Sequence, residues 1–103
     1  MVQIIPPNAV QALIESGSVD VVDVREPREW STGHIPHARL VPLDELRANP
    51  ETALGRDGVV FVCAKGVRSL AAAKLAERLG FSHLYSLDGG TSNWVRAGLP
   101  LES

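Results

Sequence analysis

Apolar positions fall along this chain in two rhythms that take turns. Short apolar runs, rich in β-branched residues, recur at Ile4–Ile5, Val19–Val24, Arg39–Val41, Val59–Val62 and Leu84–Leu87. Each has the length and make-up of a strand in a covered sheet. Between them, apolar residues recur three and four positions apart. Val10, Leu13 and Ile14 give one face of a helix over Asn8–Glu15, with Asn8 as its cap and Gly17 as a left-handed stop. Pro27 suits the first turn of a short helix to about Thr32, ended by Gly33. Asp44–Asn49 reads as another, with a proline just beyond it. Ala72, Leu75, Ala76 and Leu79 set the face of a longer helix over Leu70–Leu79, with Gly80 as its cap. Ser92–Ala97 makes the last, closed by Gly98 and Pro100. Strands and helices therefore alternate about five times, which predicts an α/β fold, a five-stranded and mostly parallel sheet with helices on both faces. No repeat, linker or low-complexity tract interrupts the order, so residues 1–103 are expected to form one domain.

Composition narrows the function classes. The chain is 45% apolar and 21% charged, ordinary for a globular protein. A net charge of −2 gives no reason to expect nucleic acid or an acidic membrane as partner. No apolar run is long enough to span a bilayer, and Met1–Pro7 lacks the basic start and apolar core of a signal peptide. The expected location is the cytoplasm. A single cysteine excludes an internal disulfide and any resolving thiol within the chain.

That cysteine, Cys63, stands at the end of the Val59–Val62 strand. Ala64, Lys65, Gly66, Val67, Arg68 and Ser69 separate it from the expected helix. Ligands of open α/β sheets bind at this edge, where loop amides and a helix N-terminus face an anion. A thiol of ordinary pKa, ~8.5, is only slightly ionised at neutral pH. Converging N–H groups, Lys65 and Arg68 would favour its thiolate and would also hold an anionic substrate. A buried strand-end cysteine is common for packing reasons alone, but Gly66, Arg68 and Ser69 together favour a nucleophile that attacks an oxyanion of sulfur, phosphorus or arsenic. Four residues lie between Cys63 and Arg68. Cysteine phosphatases need a wider cradle, so the tighter loop suits a single transferable sulfur on Cys63.

Three stretches resemble the single-domain rhodaneses, a sulfurtransferase family. Asp23 to Ala38 is similar to the family's D-x-R…E-[FWY]…GHI-x-x-A segment, Cys63–Ser69 to its active-site loop, and Leu87-Asp88-Gly89-Gly90 with Trp94 and Gly98 to its closing segment. His37 departs from the pattern by standing where the family usually has glycine. The resemblance implies that Cys63 takes a sulfane sulfur, commonly from thiosulfate, and passes it from a persulfide to cyanide or a thiol. Backbone donors from Ala64 to Ser69 would surround the persulfide, and Lys65 and Arg68 would attract the donor. It calls for no metal and no cofactor, for small-molecule donors and acceptors with an acceptor protein as a further option, and for a monomer or weak dimer. A persulfide carrier and a non-catalytic interaction module are the alternatives.

The remaining conspicuous residues read as structural. His34 is expected to be packed or hydrogen-bonded, Asp23 to cap its turn, and Arg25 to pair with a nearby carboxylate. Trp30 and Trp94 read as core or pocket wall, Gly89-Gly90 as a turn beside the cysteine loop, and Glu77-Arg78 as a solvated helix face.

Overall fold

Val59–Val62 is apolar at every position because it lies at the centre of a sheet covered on both sides. The computed structural model describes residues 1–103. Its elements in chain order are β1 (Val2–Ile5), α1 (Pro7–Ser16), β2 (Asp20–Asp23), α2 (Pro27–Trp30), β3 (Arg39–Leu40), α3 (Leu43–Ala48), α4 (Pro50–Ala53), β4 (Val59–Val62), α5 (Val67–Arg78), β5 (Leu84–Leu87) and α6 (Gly90–Arg96). The strands form one sheet in the order β1-β5-β4-β2-β3, with every pairing parallel. Alternation along β4 divides the core. Val59 and Phe61 join Val22, Leu46, Ala72, Ala73 and Ala76 on the face covered by α3 and α5. Val60 and Val62 join Val10, Val21, Ile35 and Trp94 on the face covered by α1 and α6. No helix is long and apolar enough to cross a membrane.

The expected elements are present, with four local corrections. Asn8 does not cap α1; Pro6 holds that position and Pro7 opens the helix, where a missing N–H costs nothing. Pro50 does not simply end α3 but starts α4, for the same reason. The long helix begins at Val67 rather than Leu70, so Val67, Arg68 and Ser69 form its first turn. Gly66, in the left-handed region at φ 96°, provides the sharp entry. Leu79, expected on the inner face, is 42% exposed, and small residues fill that face instead.

The strand order places a crevice where chemistry can sit. The chain leaves β2 toward β3 on one side and leaves β4 toward β5 on the other. Loops after β2 and β4 therefore part above neighbouring strand ends, the usual ligand position in an open parallel sheet.

Candidate active site

Cys63 follows β4 directly and is 1% exposed. Two elements fix the loop behind it. The first turn of α5 curls the chain back, so that the amides of Gly66 and Ser69 donate to Cys63 Sγ at 3.1 and 3.2 Å. From α6, the amides of Thr91 and Ser92 donate to the carbonyls of Cys63 and Ala64 at 2.8 and 3.2 Å. Gly90 makes that approach possible. Its φ is 62°, and a Cβ there would lie 2.6 Å from the Ala64 carbonyl oxygen. The glycine pair thus turns the chain out of β5, Gly89 capping α6 and Gly90 opening it, against the cysteine loop.

The sulfur has opposed influences. Burial pushes the Cys63 thiol up. The Ser69 hydroxyl, then the amides of Ser69, Lys65 and Gly66, stabilise the thiolate and outweigh burial, so the thiol titrates below its ordinary value. Ser69 Oγ lies 3.4 Å from Sγ and is also 2.8 Å from Ser86 Oγ on β5. A cleft of about 410 Å³ opens beside the loop, bordered by Lys65, Gly66, Val67, Lys74, Ser86 and Asp88 among others.

The two cations differ. Lys65 is exposed and has no carboxylate within ion-pair distance. Arg68, expected to offer a free charge to substrate, gives both terminal nitrogens to the Glu29 carboxylate at 2.7 and 2.9 Å. Glu29 also accepts from the Glu26 amide at 2.9 Å, within the capping box of α2. The Arg68 hydrogen bonds hold Glu29 down to about 2, against its partial burial, and Glu29 in turn raises Arg68. The pair joins the loop after β2 to the loop after β4 across the crevice. Of the remaining loop residues, Ala64 contributes the carbonyl that Ser92 holds, and Val67 points outward at 77% exposure.

Residues read as structural behave so except Trp30, which is half-buried and outside both core clusters. Asp23 is 0% exposed and accepts the Arg25 amide and Nε, each at 3.0 Å, while Arg25 Nη2 donates to the Gly33 carbonyl at 2.8 Å. Asp23 makes no hydrogen bond to Cys63. His34 stacks on Trp30 with ring centroids 3.6 Å apart and places Nδ1 3.3 Å from the Trp30 carbonyl. Trp94 is core. His37 takes the φ of 73° that glycine would adopt easily, so the turn survives the replacement. No three His, Cys, Asp or Glu side chains converge as metal ligands. Two residues that matter here were not singled out from sequence. Glu29 stood only as the acidic member of the E-[FWY] pair in the Asp23 to Ala38 segment, with no partner assigned, and Ser86 only as a hydroxyl in an otherwise apolar strand.

The family model described as Rhodanese-like domain matches residues 6–97. The thiosulfate sulfurtransferase GlpE of Vibrio cholerae is 33% identical over 96 residues, spanning 93% of this chain and 91% of that protein. Its namesake from Pseudomonas fluorescens is 39% identical over 99 residues, spanning 96% and 89%. The crystal structure of a rhodanese-related protein from Thermoplasma volcanium superposes with a TM-score of 0.87 at 32% identity, covering 97% of each chain.

Proposed function

The chain belongs to the rhodanese-like domain family of sulfurtransferases, and from that premise we propose that it moves a sulfane sulfur from thiosulfate or a similar donor through a persulfide on Cys63. The observation that carries this reading is the set of groups around the sulfur, two amides that donate to Sγ and the Ser69 hydroxyl 3.4 Å from it, closing on a buried cysteine at the end of β4. In the first step the Cys63 thiolate attacks the outer sulfur of thiosulfate. An S–S bond forms to Cys63, the S–S bond of thiosulfate breaks, and sulfite leaves with the electron pair. In the second, cyanide or a thiolate attacks the outer sulfur of the persulfide. The Cys63 thiolate departs with its electron pair and is ready for another donor.

The amides of Val67 and Arg68 open α5 and have no intrahelical partner. They are available to the outer sulfur, about 2.0 Å from Sγ. Lys65 supplies the free positive charge that draws in a dianionic donor. Arg68 shapes the loop through Glu29. A turn that closes amides directly onto Sγ leaves little space for a tetrahedral phosphate. The protein is expected to form thiocyanate from thiosulfate and cyanide, to lose this with Cys63→Ser, and to leave aryl phosphates intact. Cys63-dependent phosphate hydrolysis without thiocyanate formation would overturn the reading.

A further inference from the structure

Below the sulfur the Ser69 hydroxyl is backed by a second one, Ser86, that the two transfer steps do not use. Ser69 is 0% exposed and Ser86 is 1% exposed. Their oxygens are 2.8 Å apart, and Ser69 Oγ is 3.4 Å from Cys63 Sγ. Ser86 sits in β5 between Tyr85 and Leu87 and borders the cleft. A hydroxyl inside a strand is costly to desolvate unless it is paired, and Ser69 is the one side-chain partner Ser86 has.

Each hydroxyl has one hydrogen and two lone pairs. When Cys63 is a thiol, its S–H points to Ser69 Oγ, which leaves the Ser69 hydrogen free for Ser86; at 2.8 Å either oxygen can donate to the other. When Cys63 is a thiolate, Ser69 must turn its hydrogen onto the sulfur. Its oxygen then needs a donor, and the Ser86 hydroxyl is the group in place. We propose that Ser86 is a positioning residue, which turns together with Ser69 so that Ser69 can donate to the Cys63 thiolate. Donors aligned head to tail on an anion reinforce one another, and hydrogen bonds to charged atoms are the stronger kind. A thiol is only a weak donor. The chain Ser86–Ser69–Cys63 therefore favours the ionised sulfur over the neutral one. This role rests on Cys63 being the nucleophile.

Several charges also surround the sulfur. Lys65 and Arg68 lie on its own loop and on α5. Glu29 of α2 pairs with Arg68. Asp23 and Arg25 form a buried pair at the end of β2, and Asp88 closes β5 beside the cleft. None of them is hydrogen-bonded to Ser86, so a change there leaves them in place.

Cys63 is the protein's only cysteine, so its ultraviolet thiolate absorbance can be titrated with Cys63→Ser as the blank. Ser86→Ala is expected to ionise at higher pH, with the thiolate-to-thiol ratio at a given pH reduced roughly two- to tenfold. Ser86→Thr, which keeps the hydroxyl, is expected to restore the wild-type curve. Ser69→Ala should shift the titration at least as far as Ser86→Ala. The double variant should go no further than Ser69→Ala, because Ser86 acts through Ser69. A Ser86→Ala curve that superposes on wild type, or a double variant equal to the sum of the singles, would overturn the proposal. The absorbance involves no sulfur transfer, so its outcome is separate from whether thiosulfate loads Cys63.

Discussion

At the start of β4, Asp57 accepts hydrogen bonds from the amides of Gly58, Ser82 and His83 at 2.9, 3.0 and 2.9 Å and from the Ser82 hydroxyl at 2.8 Å. At the other end of the same strand, Cys63 accepts from the amides of Gly66 and Ser69, with the Ser69 hydroxyl close by. The two groups are held by the same kinds of partner, amides and a serine hydroxyl, and put them to opposite uses. A carboxylate is already charged at neutral pH, and the amides of Ser82 and His83 only drive Asp57 further below the usual range. The result is a clasp between the approaches to β4 and β5, on the exposed edge where no loops part. A thiol is mostly neutral near pH 7, so a similar donor set changes what Cys63 is. Its edge is also the one where the loops of β2 and β4 diverge. Converging amides are therefore no signature of activity by themselves. The atom they hold, and the sheet edge they occupy, decide the outcome.

The difference can be sharpened from the Cys63 side first. Gly90→Ala should have the largest effect, because its Cβ would press on the backbone of Cys63 and Ala64. The left-handed φ alone costs roughly 1–2 kcal/mol for a residue with a Cβ. Thiosulfate turnover should fall below detection while circular dichroism still reports the folded sheet. Wild-type turnover in this variant would mean that α6 does not position the loop.

Next in size is Glu29→Gln, which removes the charge that Arg68 faces but keeps one acceptor. Losing a charge-assisted contact of about 1.5–3 kcal/mol predicts roughly a tenfold or greater fall in kcat/KM for thiosulfate. A pH effect accompanies it. Glu29 is lowered from 4.5 to about 2 on folding. Its contribution to stability is thus complete above 4.5 and is lost as pH falls toward 2. Acid unfolding of Glu29→Gln should lack that part of the wild-type dependence.

Asp57→Asn should have the smallest effect on catalysis. It loosens the clasp between β4 and β5, so thermal stability near neutral pH should drop while kcat/KM for thiosulfate stays at the wild-type value. Asp57 is held low, so the loss should be full above its unfolded pKa near 3.8 and vanish in stronger acid. A fall in kcat/KM as deep as that of Glu29→Gln would erase the distinction between the two ends.

The same contrast explains what could be read from the sequence. β4 and β5 were legible to the residue, because a continuous apolar run between turn signals has few other solutions. The cysteine loop was legible as a cluster of thiol, glycine and cations. Its true start of helix was not, since Gly66 caps α5 by backbone conformation without a polar side chain, and Val67 is a poor helix former. The partner of Arg68 was hidden for a different reason. Glu29 is 39 residues away, and only the strand order brings the two loops together. The clasp at Asp57 was hidden in the same way, because its donors at Ser82 and His83 lie beyond the next helix. Ser86 was silent because a hydroxyl in a strand does not announce which way its hydrogen points.

The central claim is that Cys63 carries the transferred sulfur. Mass spectrometry of the purified protein after thiosulfate treatment measures this directly. Wild type should gain the mass of one sulfur atom, fragmentation should place it on Cys63, and cyanide should remove it with release of thiocyanate. Cys63→Ser should show no gain. An unmodified wild-type protein under the same treatment would contradict the account and leave a binding role for the domain.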